Sequence, residues 1–381
     1  MERTLFTEEH ELFRKNVRAW AEKEVLPFQE EWEKANIVPR EIWRSGGENG
    51  FLCCWMEEKY GGPGADFLCS VIIMEELARI RSSGLAFSLH SEIVAPYIHS
   101  FGTEAQKQHY LPKFASGEMI GAIAMTEPST GSDLAAIRTT AVRDGDHFVV
   151  NGQKTFISNG HLCDVVIVAV KTDTKAEPAH NGISLLLIDA NTPGFQKGRL
   201  LKKIGMKAQD TAELYFEDCR VPVKNLLGAE GKGFYYLMQK LQQERLIVGV
   251  SCQAGAEAAL NYTLQYVRDR KAFGKPIGSF QNTQFKLAEL ATEIEVGRHF
   301  IDRLVADHVA GKNVLKETCM SKWWHSDMLK RVTDECLQLH GGYGYMEEYE
   351  ISKAFLDARV QSIFAGTNEI MKVVIAKQLG L

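Results

Sequence analysis

The sequence predicts an α+β protein whose helices lie at the two ends of the chain and whose strands lie in the middle. Three observations carry that reading. Residues 7 to about 120 place apolar side chains at helical spacing. From about 121 to 228 the pattern becomes short apolar or alternating runs separated by turn residues. From Phe234 the helical period returns and holds to the end. Helix, sheet, helix without βαβ alternation disfavours a doubly wound sheet. The 381 residues suit two or three domains, with boundaries expected at 1–120, 121–230 and 231–381.

Each element has a local cause. Thr7 can cap a first helix whose opening turn carries Glu8 and Glu9, which suits the helix dipole. Leu12, Phe13, Val17, Trp20, Ala21 and Val25 then recur on one face. Gly61-Gly62-Pro63-Gly64 is a loop, Thr103 with Gln106 forms a capping box, and Ser116-Gly117 closes that helix. Strands are expected at Val165–Val170, Ile183–Ile188 and Leu214–Phe216, with turns at Asp144-Gly145 and Pro193-Gly194. Asn151-Gly152 reads as a two-residue hairpin turn between strands. Pro222, Gly228, Gly231 and Gly233 mark the exit into a long helix.

Composition narrows the function. Hydrophobic residues make up 45% and charged residues 24%, as in ordinary globular proteins. A net charge of −5 argues against a nucleic-acid footprint. No apolar run is long enough to span a bilayer, and Met1-Glu2-Arg3-Thr4 lacks an apolar signal core. An intracellular protein is expected. The eight cysteines form no C-x-x-C pair and no histidine cluster has zinc spacing, so reduced, packed thiols and no metal site are expected.

Four stretches could carry chemistry. Met125-Thr126-Glu127-Pro128-Ser129-Thr130-Gly131-Ser132-Asp133 follows an apolar strand, and offers hydroxyls and backbone N–H groups to carbonyls or phosphates; a surface turn uses the same residues. On the long helix, Phe234, Leu237, Leu241, Val248 and Cys252 trace an apolar stripe, and Glu244 falls on it. Burial raises a carboxylate's pKa and suits a general base near neutrality; a carboxylate salt-bridged inside a helix bundle is the structural alternative. Arg245 points about 100° away and is no automatic partner. Gln338-Leu339-His340-Gly341-Gly342-Tyr343-Gly344-Tyr345 suits either a helix-ending turn or close backbone approach to a ligand. Arg268-Asp269-Arg270-Lys271-Ala272-Phe273-Gly274-Lys275 reads as a solvated helix end that could also grip phosphate. His325 and His340 stand alone and read as structural. Thr367 is a plausible cap for the final helix.

The order T-E-P-x-x-G-S-D, then N-G-Q-K-x-F-I-S-N-G over Asn151–Gly160, then the two later regions, resembles the acyl-CoA dehydrogenase family from residue 7 to the end. The resemblance implies an N-terminal helical domain, a central β domain and a C-terminal four-helix bundle. It also implies FAD, an acyl-CoA substrate, a homotetramer and an electron-transferring flavoprotein as electron acceptor. Carried over by position, Met125, Thr126, Gly131, Ser132, Phe156, Ile157 and Ser158 would contact the flavin. Phe156 and Ser158 stand where Trp and Thr are frequent. Arg270, Phe273 and Gln281 would reach the FAD of a neighbouring subunit, and Gln338, Leu339, His340, Gly341, Gly342, Thr367, Asn368 and Glu369 would make the other FAD contacts. Ser132, Tyr235, Gln242, Glu244, Arg245, Ala365 and Gly366 would face acyl-CoA.

One departure sets the subgroup. Most members have a glutamate base immediately before the Gly-Thr of the final segment, where this chain has Ala365. The isovaleryl-CoA and long-chain members lack it too, and place the base on the long helix in an E-R-L context. Here Gln243-Glu244-Arg245-Leu246 supplies it. The expected activity is therefore removal of the α proton by Glu244 and transfer of the β hydride to flavin, giving a trans-2-enoyl-CoA, on medium or long chains in fatty-acid β-oxidation. The tail resembles the long-chain group and Ala365 the isovaleryl group. The alternatives are a branched short-chain dehydrogenase, an oxygen-using flavin oxidase or monooxygenase on the same fold, and a non-catalytic acyl-CoA-binding subunit. The cytoplasm is the expected location, or the mitochondrial matrix for a mature eukaryotic chain.

Overall fold

A computed structural model describes residues 3–381; Met1 and Glu2 of the expected signal-free N-terminus lie outside the described residues. The first third is helical: α1 (Glu8–Trp20), α2 (Gln29–Ala35), α3 (Arg40–Glu48), α4 (Phe67–Arg79), α5 (Ala95–Phe101) and α6 (Glu104–Ala115). Thr7 caps α1 in a box closed by His10, and Thr103 with Gln106 caps α6 as the sequence predicts. Trp20, Trp43, Leu52 and Phe87 centre the core beneath them. Two short π-helical segments interrupt the regular helices, Ala21–Val25 and Leu89–Val94. The second feeds directly into α5.

The middle is a seven-stranded sheet: β1 (Gly121–Ala124), β2 (Thr140–Asp144), β3 (His147–Ser158), β4 (Val165–Lys171), β5 (Ile183–Asp189), β6 (Phe195–Leu200) and β7 (Thr211–Pro222). The strands run in the order β1-β4-β2-β3-β7-β6, with β5 also paired to β4. β1 runs parallel to β4, whereas β3 pairs antiparallel with both β2 and β7. β4 and β5 are buried almost throughout, which accounts for their unbroken Val/Ile/Leu runs.

Asn151-Gly152 is not a turn. It lies inside β3 at a bulge, where the register against β7 shifts between Val150 and Gly152. Asn151 is bonded across the sheet to Asp218, its Nδ2 donating to Oδ1 at 3.1 Å and its Oδ1 accepting the Asp218 N–H at 2.9 Å. A Cβ on Gly152 would sit 2.5 Å from Thr139 Oγ1, so glycine is required there by close approach rather than by a reversal. The β2–β3 reversal is made by Asp144-Gly145-Asp146 instead, with Gly145 at φ +60°.

The last third contains α7 (Gly233–Asp269), a small hairpin of β8 (Lys271–Ala272) and β9 (Lys275–Pro276), then α8 (Gln281–Val309), α9 (Leu315–His340), α10 (Glu350–Ala358) and α11 (Asn368–Gln378). α7 has 37 residues and is about 55 Å long. One of its faces packs Leu246, Ile247 and Val250 on Leu68, Val71 and Met74 of α4. Another packs Val248, Cys252 and Ala256 on Met328, Leu329 and Val332 of α9. Every residue from Glu244 to Val250 is buried. The expected one-sided stripe is therefore an encased helix at mid-length, and Arg245 is as buried as Glu244. An ionic network around the buried Glu75 also joins the two helical parts: Glu75 of α4 meets Arg298 of α8 at 2.6 Å, Arg14 at 2.7 Å and Arg3 at 2.9 Å.

All eight cysteines are free and seven are buried. Among the described residues, His10, Asp66 and Cys69 could approach one cation, but both ring nitrogens of His10 are engaged, by Thr7 and by Asp66. Among the described residues no helix is long and apolar enough to cross a membrane.

Candidate active site

Glu244 sits in the encased stretch of α7 with 4% of its surface exposed. The Tyr97 hydroxyl, on α5, donates to its Oε1 at 2.7 Å. Burial pushes the Glu244 carboxyl up to about 7; the Tyr97 hydrogen bond and the charges of Arg245 and Lys240 pull the other way without cancelling it. A carboxyl raised into this range can both take and return a proton near neutrality. Arg245 Nη1 lies 3.0 Å from Cys319 Sγ, and its buried Nε meets no partner among the described residues. The neighbouring Gln243 reaches Glu92, its Nε2 donating to the main-chain oxygen at 2.8 Å. Burial raises the Glu92 carboxyl to about 7 as well, against a hydrogen bond from Ser70.

Val248, one turn beyond Glu244, shares an apolar cluster with Phe364 and Ala365. The turn thus packs against the same apolar cluster as α7. Both turn residues are left-handed, at φ +51° and +83°. For alanine that conformation is strained, which marks a backbone held for a purpose. Among the described residues, neither N–H has an acceptor within the chain. Thr367 then caps α11, accepting from Ile370 N.

The loop after β1 is stitched to β3 from below. The buried Lys154 donates to Met125 O at 3.0 Å and to Glu127 Oε1 at 2.9 Å. Thr155 N donates to Thr126 O at 3.0 Å. Directly after these residues β3 bulges, the register shifting between Lys154 and Ile157. Phe156 takes a left-handed conformation, φ +59°, and turns its ring outward with 70% exposed, while Ile157 is buried. The hydroxyls of Thr126, Ser132 and Ser158 make no hydrogen bond among the described residues, and Gly131 and Ser132 are exposed. The loop offers ligating groups that nothing among the described residues consumes.

A second recess lies at the far end of α9. Arg270, Gln338, Leu339, His340, Gly341 and Gly342 line an open cavity of about 510 Å³. Arg270 stacks over Tyr343, and a Cβ at either glycine would meet nothing within 4 Å. Phe273 crowns the β8–β9 hairpin at φ +50° with 95% of its surface exposed. Its ring meets Phe280 edge-on, centroids 6.1 Å apart, and is otherwise bare; neighbouring Gln281 opens α8.

Residues 7–118, 122–219 and 231–380 match the acyl-CoA dehydrogenase N-terminal, middle and C-terminal domains. The chain belongs to the acyl-CoA dehydrogenase family. It is 49% identical over 377 residues to a mitochondrial long-chain specific acyl-CoA dehydrogenase of Rattus norvegicus, covering 99% of this chain and 88% of the relative. A crystal structure of an acyl-CoA dehydrogenase from Geobacillus kaustophilus shares 57% identity, superposes with a TM-score of 0.98 and is covered completely, as is this chain. A glutaryl-CoA dehydrogenase from Mycobacterium smegmatis in complex with FADH2 shares 28% identity at a TM-score of 0.90, over 98% of this chain and 95% of that one. The fold is thus that of the family: helical N-terminal domain, central β half-barrel and helical C-terminal domain. The protein is an FAD-dependent oxidoreductase.

The residues present fit that cofactor. A polar loop with unspent hydroxyls faces an outward aromatic ring, and a second recess pairs a guanidinium with two unobstructed glycines. Not every position assigned by family resemblance converges on Glu244. Tyr235 is exposed near the start of α7, its hydroxyl bonded to Asn181 at 3.2 Å. Gln242 lies on another side of the helix, its amide engaged by His308, Lys312 O and Val314 N. Asn368 is buried and bonds Lys322, Ser326 and Asp327, so it supports the final turn from within. Sequence reasoning missed Tyr97, Lys154 and Lys322. Lys154 had a signal, a lysine inside a buried strand; Tyr97, beside Pro96 in a short helix, had none.

Proposed function

We propose that this protein oxidises medium- and long-chain acyl-CoA thioesters to trans-2-enoyl-CoA, with Glu244 as the base. The observation that carries the reading is a buried carboxylate poised at about 7 on α7 in a chain whose final turn has alanine where a side-chain base would stand. Glu244 takes the α proton. The open N–H of Ala365 donates to the thioester oxygen, where negative charge develops as that proton leaves. Bound FAD supplies the acceptor for the β hydride. Thr126, Ser132, Ser158 and the outward Phe156 would hold the flavin. Arg270, Phe273, Gln281 and the Gln338–Gly342 run would hold the far end of a neighbouring subunit's cofactor in a homotetramer. Electrons would leave to an electron-transferring flavoprotein. Domain boundaries near 120 and 230 fit this division of labour, with substrate held where the helical parts meet the sheet.

The identity to the long-chain relative supports the chain length; Ala365 favours the branched short-chain alternative. A kcat/KM series over straight chains from four to eighteen carbons and isovaleryl-CoA separates them, with the maximum expected at twelve or more carbons. Anaerobic bleaching of the yellow protein by acyl-CoA, with slow return of colour in air, is expected of a dehydrogenase. Rapid peroxide formation would identify an oxidase instead.

A further inference from the structure

Lys322 is fully buried on α9, and among the described residues no carboxylate lies within ion-pair distance of it. An uncompensated ammonium in a protein interior is costly and needs strong acceptors. It has two. Nζ donates to the Gly366 main-chain oxygen at 2.7 Å and to Asn368 Oδ1 at 3.1 Å. Asn368 is fixed in turn, its Nδ2 donating to Ser326 Oγ and to Asp327 Oδ1, both at 3.0 Å. Gly366 O shares its peptide plane with the Thr367 N–H, so the lysine anchors the far end of the left-handed pair Ala365–Gly366 and restrains the φ and ψ that aim the Ala365 N–H. Arg245, another buried cation, also lacks an ion pair among the described residues, where its Nε has no partner. Lys322 therefore sets an unpaired positive charge against the turn, in a medium where charge acts strongly.

We infer that Lys322 is a positioning residue for the substrate carbonyl: it clamps Gly366 O so that the Ala365 N–H is held ready for the thioester oxygen, and it lends positive potential as the enolate forms. This rests on the reading of Ala365 given above. It extends the chemistry to a fully buried residue on a different helix, α9.

The test uses FAD-loaded protein and a twelve-carbon trans-2-enoyl-CoA isotopically labelled at the thioester carbonyl, whose stretching frequency is read by difference infrared spectroscopy. In the parent the stretch is expected to fall on binding, because hydrogen bonding polarises the carbonyl. In Lys322→Met, close in shape but without charge or donor, it should return toward the free value. Flavin reduction at saturating substrate should slow by about 100-fold, as for a misplaced reacting group, with FAD content and ligand affinity kept. Lys322→Gln, too short to span both acceptors, guards against a Met variant that does not fold and should fall between the two. A variant that only loosened the fold would melt earlier without moving the stretch. A folded, FAD-loaded variant of either kind with the parent's carbonyl shift overturns the inference. A parent that neither shifts the carbonyl nor bleaches overturns the proposed activity itself, and with it this role.

Discussion

Tyr97→Phe removes one oxygen atom and little else. The ring is fully buried, and its hydroxyl is a hydrogen-bond donor to Glu244 Oε1 at 2.7 Å. That bond favours the carboxylate over the acid. Without it, Lys240 and Arg245 remain as the groups opposing the desolvation that already pushes Glu244 up to about 7. A hydrogen bond to a charged group contributes roughly 1.5–3 kcal/mol, and one pH unit corresponds to about 1.4 kcal/mol. The base pKa should therefore rise by about 1–2 units in the variant. Proton abstraction needs the carboxylate, so activity rises with pH through the base pKa and the whole limb should move to alkaline pH. At pH 6 the reduction rate should drop by about 10- to 100-fold, and at pH 9 most of it should return. Stopped-flow measurement of anaerobic flavin bleaching by acyl-CoA from pH 5.5 to 9 gives the profile. A Tyr97→Phe profile that overlays the parent's, or moves to acid, would refute the role of this hydroxyl and weaken Glu244 as the base.

Glu244→Gln should retain FAD and lose reduction by orders of magnitude; bleaching near the parent rate would remove the assignment. Because the folded carboxyl titrates near 7 rather than 4.5, the native state holds that proton more tightly than the unfolded chain, and ionising Glu244 costs stability as pH rises through that window. The same variant should thus melt above the parent at pH 8, the gap closing toward pH 5. Ala365→Glu combined with Glu244→Gln should recover part of the activity lost in Glu244→Gln alone, and no recovery with substrate still bound would mean the two positions do not face one α carbon. Arg270→Glu should release FAD and weaken the oligomer together, as size-exclusion with absorbance would show; a monomer holding stoichiometric FAD would contradict it. Glu75→Gln leaves Arg3, Arg14 and Arg298 without their shared carboxylate and should cost about 3–5 kcal/mol, as breaking a buried ion pair does, read by denaturant melts.

The order of helix, sheet and helix was legible because period decides it, and capping residues such as Thr103 and Thr367 act within four residues of themselves. Asn151-Gly152 misled because a turn signal and a bulge signal share a glycine; what distinguishes them is Thr139, a dozen residues away in sequence and 2.5 Å away in space. The stripe through Glu244 was readable, but its full encasement was not, since the covering side chains come from α4 and α9. Tyr97, Lys322 and the Lys154–Glu127 pair join elements 27 to 147 residues apart in the chain, and no local pattern encodes such contacts.

If Glu244 is the base, as proposed above, the Ala365 turn accounts for a base that stands on another element. What the turn would contribute to polarising a carbonyl is a backbone N–H, and the direction of that bond is set by φ and ψ, not by the side chain. A left-handed alanine costs about 1–2 kcal/mol, and the clamp at Gly366 O helps to hold it there. With its direction fixed from the main chain, position 365 is free to lose its carboxylate. The proton acceptor can then come from a helix that is rigid on every side. On α7 the carboxylate is buried at 4% exposure and bonded by Tyr97, so its pKa is set by packing against neighbouring helices rather than by a mobile loop. A base carried that way is tuned by residues on α5 and α7, while the carbonyl site is tuned from α9. The two halves of the reaction can therefore be perturbed separately: Tyr97→Phe should move the pH profile and leave the carbonyl stretch alone, and Lys322→Met should do the reverse. If either variant moved both readouts equally, base and carbonyl site would be one coupled unit and the division argued here would fail.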